Sequence, residues 1–115
     1  MTFVTLLFFL TNFIAAEDTK IKALWIVRDD MVSKKLIDAA ISFSVEKNFT
    51  DVFVQIRGRG DAYYSSNFVP RADLISKTDF DPLAYIINKT KSLDLKIHAW
   101  LNVYYLWSSP QRPKH

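Results

Sequence analysis

At 115 residues, half of them hydrophobic and 15% aromatic, the chain is too apolar for a disordered segment and rich enough to build a core. Lys and Arg outnumber Asp and Glu by 15 to 12, but the charges are dispersed without a run of five, which excludes the clustered basic surface of a nucleic-acid-binding protein. The lack of cysteine excludes a disulfide framework, a thiolate metal site and a thiol nucleophile.

The first sixteen residues, Met1 to Ala16, carry no charged side chain and are dominated by Phe, Leu, Val and Ile. They close on Ala15-Ala16, just before Glu17-Asp18. The apolar run is shorter than the roughly 20 residues of a membrane helix, and small residues stand where a signal peptidase cuts. We read a signal peptide cleaved after Ala16, hence a secreted or periplasmic protein with no stable membrane span once the segment is removed. The missing Lys or Arg at its start departs from the usual pattern, and a buried helix or uncleaved anchor is the competing reading.

From Lys20 the order is strand, helix, strand, long loop, helix, strand. Ile21 to Val27 is the first apolar run and ends in Arg28-Asp29-Asp30. Ser33 is placed to cap a helix whose apolar residues, from Leu36 to Val45, recur at helical spacing before Asn48 ends it. Next comes the stretch around which the chain is organised, Asp51 to Tyr64. Val52 to Ile56 reads as a strand buried on both faces. It runs directly into Arg57, Arg59 and Asp61, interleaved with Gly58 and Gly60, the chain's two glycines, where the backbone must turn out of the strand.

Residues 57 to 81 show no long period, yet Tyr63, Tyr64, Phe68 and Phe80 argue against disorder. A loop this long in a small domain tends to be functional. Asp81-Pro82 has the form of an N-cap followed by proline at the first helical position, and the second helix carries one apolar face from Leu83 to Leu93. Leu95 to Val103 is the third strand, with His98, Trp100 and Asn102 on one side and Ile97, Ala99, Leu101 and Val103 on the other.

Alternating strands and helices imply right-handed parallel βαβ units, α/β in class. Three strands and two helices do not complete such a fold, since an eight-stranded barrel needs roughly 250 residues. The expectation is therefore a partial TIM (β/α)8 barrel in residues 20–115, the first part of a longer one. A self-contained three-stranded domain is the alternative, and it leaves the apolar third strand as an unpaired edge.

In such a barrel the carboxyl ends of the strands carry the site. They bring Arg28, then Gln55, Arg57, Arg59 and Asp61, then His98, Trp100 and Asn102 to one rim. Guanidinium forks and amides orient hydroxyls or carboxylates, and the aromatic faces of Tyr63, Tyr64, Trp100, Tyr104, Tyr105 and Trp107 suit sugar rings. Each has a plainer role beside this one. Arg57 and Asp61 can pair to pin the loop, Gln55 can be a satisfied core amide, His98 a hydrogen-bonded core histidine, and Trp100 and Trp107 core residues buried for their area. Two histidines, His98 and His115, are too few for a histidine-rich metal site, and no glycine-rich phosphate loop is present. No metal and no cofactor are expected. Arg59-Gly60-Asp61 matches the integrin tripeptide by chance length alone, and Asn48-Phe49-Thr50 and Asn88-Lys89-Thr90 matter only in a glycosylating host.

The blocks Ala23 to Arg28, Phe53 to Ser66, Phe80 to Ile86 and His98 to Asn102 together resemble the amino-terminal part of the glycosyl hydrolase-like 10 domain family. The Gln-x-Arg…Gly-Asp-Ala-x-Tyr-x-Ser and His-Ala-Trp-x-Asn blocks carry most of the weight. Gly58 and Val103 stand where that family often has proline. The resemblance implies a secreted or periplasmic bacterial (β/α)8 barrel acting on the O-glycosyl bonds of glycan strands, with peptidoglycan the leading substrate class. Arg28, Gln55, Arg57, Tyr64, His98, Trp100 and Asn102 are then expected to line the cleft. Asp61 is expected as a carboxylate at the sugar, with the main acid and base beyond residue 115. The alternative from another class is a barrel that binds glycan without cutting it. The two carboxylates that usually flank a hydrolysed glycosidic bond discriminate between them.

Overall fold

The computed structural model describes residues 20–104. Strands β1 (Ala23–Ile26), β2 (Asp51–Arg57) and β3 (Lys96–Leu101) form one parallel sheet in the order β1-β2-β3. Helix α1 (Lys34–Glu46) links the first pair and α2 (Pro82–Thr90) the second. This is the α/β arrangement of a partial (β/α) barrel. The apolar segment before Glu17, together with Tyr105 and Trp107, lies outside the described residues.

Local chemistry sets the helix ends. Leu36 N donates to Ser33 Oγ at 3.3 Å, which caps α1, and Asn48 takes φ 54° just past its end, a left-handed position that asparagine tolerates. Asp81 Oδ1 accepts from Ala84 N at 2.9 Å ahead of Pro82, capping α2. β1 is shorter than its apolar run because the chain turns at once into a 3-10 turn over Arg28–Met31, with Asp30 N bonded to Val27 O at 3.0 Å. β3 likewise stops at Leu101 rather than Val103.

Strand alternation divides the sheet into two faces. Ile26, Val52, Val54 and Ile56 pack with Ile37 and Ile41 of α1, Ile86 of α2, and Met31, Tyr63 and Ile75 from the connections. Ile37 and Ile86 are fully buried, so truncating either to alanine leaves a cavity in a close-packed layer at a cost of about 2–5 kcal/mol. The opposite face carries Trp25, Asp51, Phe53, Gln55, His98 and Trp100. Burial on both faces, expected from the apolar runs, holds for β2, where every residue is buried or half-buried, while β1 and β3 stay open at the edges of the sheet that the described residues form. No helix or strand among them covers this second face, and Trp25 is 58% exposed. Instead its rings cover one another: Trp25 stacks on Phe53 at 4.9 Å and Phe53 on His98 at 4.6 Å.

The long loop is ordered by one cation. Arg71 Nε donates to Ile75 O at 3.0 Å, and its Nη2 donates to Thr78 O at 3.0 Å and to Phe80 O. A bridge between Ala62 and Arg71 and a short 3-10 turn at Asp73–Ile75 complete the loop, and Ala62, Ala72 and Ile75 enter the core. No helix among the described residues is long and apolar enough to cross a membrane.

Candidate functional site at the carboxyl ends of the strands

The rim is stitched together by short polar bonds between the three strand ends. Arg28 N donates to Gln55 Oε1 at 3.3 Å, joining β1 to β2. Asn102 N donates to Arg57 O at 2.9 Å and Asn102 Nδ2 to Gly58 O at 3.2 Å, joining β3 to β2. Trp100 Nε1 donates to Asn102 Oδ1 at 3.0 Å, so the indole is fixed against the same turn. Arg28, Gln55, Arg57, Trp100 and Asn102 thus come together at one end of the sheet.

Two backbone features position them. The β2–β3 register shifts between Gln55 and Arg57: Gln55 lies opposite Trp100, but Arg57 lies opposite Leu101. Such a bulge places one extra residue on β2 and re-aims the side chain that follows it. The two glycines serve different ends. Gly60 has φ 83°, as a turn requires, whereas Gly58 provides room: a Cβ there would stand 2.3 Å from Arg28 Nη1 and 2.9 Å from Arg28 Cδ. The turn expected at both positions belongs to Gly60.

The single residues divide between binding and architecture. Gln55, 6% exposed, is held by the Arg28 amide and acts as a satisfied core amide. Arg57 does not pair with Asp61: among the described residues its guanidinium is within ion-pair distance of no carboxylate, and its Nε is buried without a partner. A buried unpaired donor costs about 1–3 kcal/mol. Asp61 Oδ1 accepts from Arg59 N at 3.2 Å, so the carboxylate braces its own turn while staying half-buried at the rim. Arg28 keeps only a loose contact with Asp29, 3.8 Å from Nε to Oδ1.

The aromatics sort differently from expectation. Tyr64 is half-buried and packs against the core, and Tyr63 is 2% exposed. Burial, and then the negative charge of Asp61, push the Tyr63 hydroxyl up to about 12, partly opposed by Arg28, so it remains a proton donor beneath the rim. Of the tyrosines thought fit for stacking, Tyr63 is core, Tyr64 is half-buried against it, and Tyr104 is 99% exposed.

His98 lies one layer below Trp100. Its Nε2 meets Asp51 Oδ1 at 2.6 Å, and Thr50 Oγ1 donates to Asp51 Oδ2 at 2.7 Å. The bonds from Thr50 and then His98 hold the Asp51 carboxyl below the usual carboxylate range, against the opposing pull of burial. The sequence reading missed Asp51, whose position at a strand start gave no sign of a partner 47 residues on.

A groove of about 460 Å³ lies away from the rim, lined by Lys34, Asp79, Phe80, Asp81, Ala84, Tyr85 and Asn88. Beside it Tyr85 Oη donates to Asp38 at 2.9 Å and Lys89 Nζ stands 3.6 Å from the same carboxylate, a tie between the two helices. No group of three His, Asp or Glu among the described residues could hold a metal ion.

A family model described as glycosyl hydrolase-like 10 matches residues 20–109. Glycosyl hydrolase YngK of Bacillus subtilis (strain 168) is 31% identical over 90% of this chain and 23% of its own length. Glycosyl hydrolase DigH of Escherichia coli (strain K12) is 31% identical over 46% of this chain and 13% of its own length. The chain therefore spans less than a quarter of either relative.

Proposed function

From the chain's membership of the glycosyl hydrolase-like 10 family, we propose that it supplies the first three strands and two helices of a barrel that hydrolyses O-glycosyl bonds in glycan strands, with peptidoglycan as substrate. Arg28, Arg57, Trp100 and Asn102 meet the sugar directly, Gln55, Tyr64 and His98 line the cleft behind them, and Asp61 is the carboxylate nearest the glycan. The acid and base that flank the scissile bond come from later strands, and this segment by itself is inactive.

The observation that carries the reading is the convergence at one rim of a half-buried guanidinium with an unpaired Nε, a second guanidinium laid over Gly58, and an indole fixed by Asn102. A group that carries hydroxyls and a ring face offers each of these a partner. Chemistry at the strand ends is also where barrels of this type act. We further propose export, with Met1 to Ala16 as the signal peptide: N-terminal sequencing of the exported protein is expected to begin at Glu17, and a start at Met1 would overturn it.

The function is tested with peptide-free peptidoglycan strands and the full-length protein, following release of reducing ends and retention of protein on the glycan. Arg57→Ala is expected to lower turnover and binding by tenfold or more, the equivalent of one charge-assisted hydrogen bond. Binding without any release of reducing ends would instead identify a non-catalytic glycan-binding barrel. Neither binding nor release would remove the glycan assignment.

A further inference from the structure

Beneath the rim lies a pair of side chains that the strand-end chemistry does not use. Asp51 and His98 occupy neighbouring strands on the sheet face opposite the helices, joined by the 2.6 Å contact at Nε2. The carboxylate is buried at 6% exposure, while the imidazole side chain is 40% exposed. His98 Nδ1 has no hydrogen-bond partner among the described residues. Two contacts hold the ring: Asp51 fixes one nitrogen, and Phe53, itself backed by Trp25, stacks on its plane at 4.6 Å.

A carboxylate can only accept. Asp51 Oδ2 already receives the Thr50 hydroxyl, and Oδ1 faces His98, so in the neutral ring the proton on the shared side belongs to Nε2. The other nitrogen is then a bare acceptor. We propose that Asp51 is a positioning residue that holds His98 in the Nε2–H form, presenting Nδ1 as a fixed acceptor for a hydroxyl of the bound sugar. The acceptor role rests on the glycan reading above, while the proton placement does not depend on it. The lowered carboxyl of Asp51 agrees with a partner that is ionised at neutral and alkaline pH, to which Lys96, opposite it in the register, adds a favourable charge.

Substitution to asparagine separates this role from mere packing. In Asp51→Asn the amide oxygen remains the acceptor for Thr50, which turns the NH2 group toward His98. That donor requires an unprotonated Nε2 and so moves the ring proton to Nδ1. The shape is unchanged, but the acceptor is lost.

The test is ¹⁵N NMR of histidine-labelled protein at alkaline pH, where the two ring nitrogens have distinct shifts, with His115 as the second histidine signal. The native protein is expected to show His98 with Nε2 protonated and a hydrogen-bonded Nε2–H proton far downfield. Asp51→Asn is expected to reverse the assignment. A mixed tautomer or a protonated Nδ1 in the native protein would overturn the proposal even if the variant fails to fold, and an unchanged tautomer in a folded variant that has lost the downfield Nε2–H proton would overturn it too. A retained downfield proton shows residue 51 still holding the ring through a turned amide whose NH2 faces Thr50, the hydroxyl then donating to Lys22 O. An oligosaccharide of alternating N-acetylglucosamine and N-acetylmuramic acid is then added. A shift at His98 Nδ1 supports the acceptor role. Binding seen by tryptophan fluorescence without that shift overturns the role and leaves the rim reading intact, whereas no binding removes both.

Discussion

Gly58 is defined by what cannot be added to it. A methyl group would enter the space of Arg28 Nη1 and Cδ, so Gly58→Ala is expected to displace the guanidinium from the rim. Because the far end of an arginine can swing into solvent, stability should change by less than about 1 kcal/mol while glycan affinity falls roughly tenfold. Paired urea titrations and binding isotherms check this, and an unchanged affinity would show that Arg28 does not bind through this position. Asp81 makes a different kind of contribution. Burial raises its carboxyl, but the Ala84 amide and then the Ser65 hydroxyl and amide outweigh that and hold it below the usual carboxylate range. A depressed folded value means that the stabilisation is complete above the unfolded value and is lost as pH falls through the folded one. Asp81→Ala should therefore cost about 1–2 kcal/mol at neutral pH, the worth of a helix cap, and the gap to the native protein should narrow as the pH falls below the ordinary carboxylate value. Urea denaturation at pH 7 and at pH 2.5 measures both halves.

At the scale of elements, the loop from Gly58 to Asp81 holds its shape through Arg71. Three carbonyls, of Ile75, Thr78 and Phe80, take one guanidinium, and each would be left without that donor if it were removed. Arg71→Ala is expected to destabilise by about 2–4 kcal/mol and to open residues 72–80 to proteolysis, and Arg71→Lys, a point charge without the planar fork, should recover little of it. Equal proteolysis of native and variant protein would contradict this. The end of α1 offers the opposite case. Asn48 sits at φ 54°, so Asn48→Gly should be neutral or stabilising by a few tenths of a kcal/mol, while Asn48→Ala should cost up to about 1 kcal/mol. Thermal unfolding of the two variants ranks them. The helix caps, the order of elements along the chain and the aromatic content of the loop were all legible in sequence, since each depends on residues within a few positions of one another. The Arg71 clasp was not. An arginine between Pro70 and Ala72 has no local signature of three carbonyl partners.

For the molecule as a whole, three parallel strands carry one packed face and one face of stacked rings. The burial on both sides expected of the central strand is met in β2, where Asp51 and Gln55 are buried on one face and Val52, Val54 and Ile56 on the other, and the β2–β3 register brings His98 to the first of these faces. Composition, capping residues and strand alternation, read from the sequence by itself, were sufficient for the α/β class, the element order and the end of the sheet where polar chemistry collects. They act over a few residues, where backbone geometry leaves few choices. Only the tertiary structure decided that Arg57 stands free of Asp61, that a bulge separates it from Gln55, that Tyr63 is core with Tyr64 packed against it, and that Asp51 meets His98. Those outcomes depend on sheet register and on space between residues far apart in the chain, and a shift of one residue in pairing would undo every one of them.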